Sequence, residues 1–191
     1  MFRRILALIL VLGGVVSPAL AAEQALRLDP VATKVTFSLG STLHTVHGEL
    51  ALEEGVIVFD DETGKASGRV VIDAASAKTG NQKRDKKMHN KVLDTGSFPE
   101  IVFSPENIEG RLVVSGSGPV ILAGTVTLHG EKHPISIHAE VARQSNQLTA
   151  TFEVPVPFVE WGLQDPSVFL LRTDKTVVVE VTARGTLEEA P

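Results

Sequence analysis

No cysteine occurs in this chain, so no disulfide can staple the fold and it must be held by packing and strand pairing alone. The same absence removes the residue to which an exported bacterial lipoprotein attaches its lipid. Positive charge is also scarce. Against 23 Asp and Glu stand 18 Lys and Arg, a formal net charge of −5, which argues against a nucleic-acid partner because such a partner needs a basic footprint. Past residue 21 no apolar run approaches the roughly 20 residues that a membrane-spanning helix requires. Neither a nucleophile elbow nor a glycine-rich phosphate loop is present.

What is present begins with a leader. Arg3 and Arg4 precede the apolar run Ile5 to Leu12, which stops at Gly13-Gly14, and Ala19-Leu20-Ala21 offers a small-x-small cleavage site. This is the pattern of a secretory signal peptide over residues 1–21, and it sets the expected location as periplasmic or secreted. Residues 22–191 are then one domain, long enough to enclose a sizeable core. Loss of Arg3 and Arg4 with the leader takes the net charge from −5 to −7.

The rest of the chain repeats a two-residue code. Val35, Phe37 and Leu39 alternate with Lys34, Thr36 and Ser38, the pattern of a strand with one buried face. Val46, Gly48, Leu50 and Leu52 share a second face, the short run Val56 to Phe59 follows a turn at Glu54-Gly55, and Ala66, Gly68, Val70, Ile72 and Ala74 share another. After Phe98-Pro99, Ile101 and Phe103 continue. Val120, Leu122, Gly124, Val126 and Leu128 lead through the tight connection at His129-Gly130 to Ile135, Ile137, Ala139 and Val141. Leu148, Ala150, Phe152 and Val154, then Val177, Val179, Val181 and Ala183, complete the series, while Ser115 to Gly118 reads as a flexible turn. Eight or nine strands with hairpin-length links predict an all-β, antiparallel up-and-down barrel, whose closure removes exposed edges.

One segment breaks the code. Thr79 to Val92 reads as a short helix over about 81–92, near one end of the barrel, with Thr79 or Asn81 as its cap and Met88 and Val92 turned toward the sheet. Lys83, Arg84, Lys86, Lys87 and Lys91 against Asp85 make it a basic patch on an acidic domain.

A barrel of about eight strands either fills its interior or holds one ligand. The inward set includes glycines and alanines, with Gly48, Gly68 and Gly124 in register with apolar faces, so missing side chains could leave an elongated slot for a hydrophobic ligand. Bends at barrel corners are the other explanation of those glycines. The candidate lining is Phe37, Leu39, Val46, Gly48, Leu50, Val70 and Ile72 from the first half. Phe103, Leu122, Gly124, Val126, Ile137 and Phe152 come from the second, with Met88 from the helix and Trp161 as apolar cover. On this basis Gly124→Phe is expected to reduce lipid capacity without unfolding the domain.

The chain resembles the YceI-like family of lipid- and polyisoprenoid-binding proteins over residues 26 to 187. The resemblance rests on Val35-Thr36-Phe37, Val46-His47-Gly48, Gly55 to Asp60, Gly68 to Asp73, and Thr79-Gly80-Asn81 followed by Arg84-Asp85. It continues through Phe98 to Phe103, Leu122 to Gly130 and Val177 to Leu187. It implies an exported, lipocalin-like antiparallel barrel that encloses an isoprenoid-type chain in an apolar cavity; no cofactor is expected. Two positions depart from the family pattern: Val92-Leu93 where aromatics are frequent, and Leu43-His44 where a His often follows the first strand.

The polar candidates carry less. Arg84 and Asp85 suit a tether that holds the helix to the barrel, and Arg84 with His89 are the candidate head-group contacts. The lysine-rich face, Lys83, Lys86, Lys87 and Lys91, is either simply solvated or attracts an anionic lipid head group or a membrane surface, as a peripheral contact. His44 and His47, like His133 and His138, differ by odd numbers and so point to opposite faces of a regular strand, which weighs against a metal site. Trp161 to Pro166 suggests a second rim opposite the helix. The expected partner is therefore a lipid, held for storage, shielding or transport. Two rival readings remain, an exported enzyme using His44, His47 or His89 as acid or base, and a filled barrel that binds nothing.

Overall fold

The computed structural model describes residues 23–110, 116–168 and 171–190. The expected signal peptide and Ser115 lie outside these residues. Nine strands run in chain order: β1 Gln24–Leu28, β2 Lys34–Leu39, β3 Val46–Phe59, β4 Ala66–Lys78, β5 Glu100–Glu109, β6 Gly116–Leu128, β7 Glu131–Gln144, β8 Gln147–Val156 and β9 Val177–Glu189. Each pairs antiparallel with its neighbour in the sequence from β2 onward, and β2 pairs in turn with β9, which closes the ring. β1 and β2 both lie between β3 and β9, β1 against Val56–Phe59 and β2 against Val46–Leu50. They are two halves of one stave, so nine strands make an eight-staved, lipocalin-like barrel.

The break in that stave is a turn at 29–33, at mid-height on the wall. Thr33 closes it by accepting from the Arg184 amide at 3.1 Å and donating to the Arg184 carbonyl at 3.3 Å. Short links close one end of the barrel. At Asp60–Gly64 the Asp60 carboxylate accepts from the Glu62 and Thr63 amides, and Gly64 adopts φ 71°. The opposite end carries the longer connections, 40–45, 79–99 and 157–176, together with the two-residue hairpin His129-Gly130, where both residues have positive φ as a type I′ turn demands.

Two expected turns are strand instead. Glu54-Gly55 is a bulge inside the fourteen-residue β3, whose ladder with β4 shifts register between Leu52 and Glu54. Gly116 to Gly118 open β6 and pair with Val141 to Arg143. In both places neighbouring strands supply the ladder partners that glycine-rich local sequence would not demand by itself.

The helix is α1, Gln82–Lys87, widened into a π-helical turn over Met88–Leu93. Of the two candidate caps, Asn81 takes the role, its Oδ1 accepting from the Lys83 and Arg84 amides at 3.1 Å each. The π turn ends at Asp94, left-handed at φ 44°, whose N–H returns to the His89 carbonyl. No described helix is long and apolar enough to cross a membrane.

Candidate functional site: an apolar cavity with a polar mouth

Each strand sends one apolar row inward, and the rows do not meet. They enclose a cavity of about 590 Å³ walled by all nine strands and by α1, within the size range of small-molecule sites. At the closed end Leu26, Phe59, Val141, Leu148 and Leu187 pack into one buried cluster. At the mouth Leu128, Phe158 and Leu163 form a second, covered by Val92, Leu93 and Trp161.

Of the candidate lining, Phe37, Leu39, Val46, Leu50, Val70, Ile72, Met88, Phe103, Leu122, Val126, Ile137, Phe152 and Trp161 stand on the cavity wall. Gly48 and Gly124 do not. A Cβ at Gly48 would fall on the Phe37 ring, and one at Gly124 would meet the Ser104 carbonyl oxygen and the Phe103 ring. The space released by these glycines is therefore taken by neighbouring aromatic rings, as in strands where an aromatic covers a cross-strand glycine. The cavity instead follows from short side chains in register, notably Ala150 opposite Ala183 and flanked by Val141 on the other side.

Sequence alternation misses Ile57, Phe59 and Ile108, which also line the wall. Each lies beyond a bulge, at Leu52/Glu54 in β3 or Pro105/Asn107 in β5, and one extra residue moves the inward set from one parity to the other. The Glu53-Glu54-Gly55 run was the available signal for the first.

Polar groups on the wall are few and, Thr33 apart, gather at the mouth: Ser41, His44, Thr79, Arg84, Lys87 and Thr173. Thr79 organises the helix. Its Oγ1 accepts from Arg84 Nε at 2.7 Å and donates to Asp85 Oδ1, while its carbonyl accepts from Arg84 Nη2 at 3.0 Å and its amide donates to the same carboxylate oxygen at 3.0 Å. Arg84 and Asp85 thus act through a shared threonine. Neither Arg84 nor Lys87 has a carboxylate partner among the described residues. Of the helix lysines, Lys87 alone stands on the wall, on the same helix face as Arg84 at i+3.

The rim loop 157–176 springs from β8 and β9, across the ring from the β4 and β5 that carry the helix, and reaches it over the mouth: Lys87 Nζ donates to the Pro166 carbonyl at 2.8 Å. Asp165 anchors that loop. It pairs with Lys175 and accepts from the Ser167 amide at 3.0 Å, and these bonds, Lys175 first, hold its carboxyl well below the usual range. Trp161 lies flat on His133, ring centroids 4.2 Å apart.

Of the three acid/base candidates only His44 reaches the wall, in the connection where Ser41 Oγ donates to its carbonyl at 2.6 Å. His89 lies off the cavity, its Nδ1 3.4 Å from Thr95 Oγ1, and so does not stand beside Arg84 at the mouth. No cluster of metal-ligating side chains occurs among the described residues.

A match to the YceI-like domain runs over residues 26–184. The chain belongs to the YceI-like family. UPF0312 proteins of Vibrio campbellii and Vibrio parahaemolyticus are each 28% identical over 103 residues, 53% of this chain and about half the length of those relatives at 52%. Among solved structures, a polyisoprenoid-binding domain from Saccharophagus degradans implicated in plant cell wall breakdown superposes with a TM-score of 0.69 at 19% identity, covering 87% of this chain and 98% of that one. BcnA of Burkholderia cenocepacia gives 0.68 at 16%, covering 83% and 99%. These likenesses establish that the YceI-like protein shares their barrel.

Proposed function

We propose that this YceI-like protein is exported and holds an isoprenoid-type or other long-chain amphiphile in its barrel, storing, shielding or carrying it. One observation supports the reading above the rest: a cavity apolar along its length whose polar groups collect at a single mouth. That arrangement suits a molecule with one long apolar tail and one polar end. Each 100 Å² of tail taken out of water would contribute about 2.5 kcal/mol, offset in part by the ordering of a flexible chain. Arg84, with N–H groups left over after Thr79, and Lys87 would orient the polar end. The polyisoprenoid-binding domain of Saccharophagus degradans supports the same ligand class.

Native mass spectrometry of protein purified without detergent, followed by organic extraction, tests the proposal. A stoichiometric isoprenoid or fatty species is the expected result. A mass without adduct that persists after incubation with total membrane lipid would sink it. Export is checked separately, by cell fractionation and by a mature N-terminus at Ala22.

A further inference from the structure

Among the described residues three large apolar side chains stand out in solvent: Val31 at 96% exposure, Leu43 at 76% and Val168 at 55%. Val31 sits alone on the mid-wall turn. Leu43 and Val168 share the mouth, and backbone bonds hold their segments together: the Thr42 amide donates to the Arg172 carbonyl at 2.9 Å, Ser41 bridges Thr173, and Val168 and Leu171 exchange amide bonds at 2.8 and 3.0 Å. α1 joins the same rim through Lys87 and the Pro166 carbonyl. It brings Lys83 and Lys86, and the π turn that follows brings Lys91, all exposed, and Arg172 is exposed beside Leu43.

None of these four cations has a carboxylate partner among the described residues. Of the acids on this face, Asp165 is committed to Lys175 and Asp85 to Thr79, Asp94 ends the helix half-buried, and Glu131, Glu160 and Asp174 remain exposed. A protein acidic overall thus keeps unpaired lysines and two apolar prongs on the face that surrounds its cavity opening. Solvated lysines alone would be unremarkable. It is their coincidence with Leu43 and Val168 that calls for a partner both anionic and penetrable by apolar side chains.

We propose that the mouth face docks on a bilayer rich in anionic phospholipid, with Leu43 and Val168 entering the interface and the basic residues of α1 lying among the head groups. The cavity then opens against the leaflet. The docking itself does not depend on what the cavity holds; the transfer of an amphiphile between leaflet and cavity rests on the function proposed above.

Cosedimentation with vesicles of phosphatidylcholine alone, or with about a third phosphatidylglycerol, tests it at low and at high salt. Binding is expected only to the anionic vesicles, weakening with salt, by about fivefold for each basic residue removed. Lys83→Glu, Lys86→Glu and Lys91→Glu combined should abolish it, Leu43→Ser with Val168→Ser should lower it at least tenfold, and Val31→Ser should leave it unchanged. No binding, equal binding to neutral vesicles, or equal loss with Val31→Ser would overturn the proposal. A protein that carries extractable lipid but ignores vesicles refutes the docking alone. One that binds vesicles but never carries lipid refutes the cargo alone.

Discussion

At the scale of single residues, the two inward glycines show how little room the walls leave. Gly124→Phe cannot act as a cavity plug that spares the fold, since even a methyl group at that position would overlap the Ser104 carbonyl. Gly124→Ala is therefore expected to cost about 1–3 kcal/mol in urea unfolding, as overpacked positions do. Gly96, with nothing within 4 Å of an added Cβ, provides the neutral control. Asp165 gives a second test. Its folded-state pKa is depressed by Lys175 and Ser167, so its contribution is fully present above the ordinary carboxylate pKa near 4 and is lost as pH falls below that toward the folded value. Asp165→Asn should flatten the acid side of the stability profile below about pH 4 while leaving the neutral region less stable than wild type. An unchanged acid limb would show that the Asp165 network does not hold the rim loop.

At the scale of elements, α1 is tied at its first turn by one hydroxyl that serves both Arg84 and Asp85. Thr79→Val keeps the shape and removes both bonds, so amide exchange across residues 82–93 should accelerate at least tenfold while the strands keep their protection. Uniform acceleration would mean that the helix is bound to the barrel by its apolar face instead. Legibility in the sequence also divides by element. Strands of unbroken alternation, β2, β7, β8 and β9, show their inward rows directly, because nothing interrupts the period of two. In β3 and β5 the inward row changes parity at a bulge, and a bulge is dictated by the neighbouring strand's register as much as by local residues. The helix was legible from its cap and its basic run. The rim at Trp161 to Pro166 was legible from its aromatic and turn residues, but the burial of Phe158 and Leu163 was not, because they are buried by contacts with distant Leu128 and not by any local period.

At the scale of the whole molecule, the cavity is a property of side-chain volume summed around the ring. Ala150→Phe adds a ring to the cavity wall next to the closed-end cluster, where Val141 and Ala183 flank it, and should reduce lipid stoichiometry at least fivefold by mass spectrometry while the barrel stays folded. Full retention of lipid would place the ligand elsewhere. All-β closure was legible because eight or nine strands without alternating helices leave few other ways to bury a face on each. The split stave was not, since only three-dimensional pairing shows that β1 and β2 share one position between β3 and β9. That shared position sets the order of events in time. The first two strands find one of their partners only in the last thirteen-residue strand, Val177–Glu189, so the ring cannot seal until nearly the whole chain has been synthesised. Contacts of such long sequence separation form slowly, and until β9 arrives both β1 and β2 lack one of their two neighbours, so closure of the ring is the last and slowest event of folding.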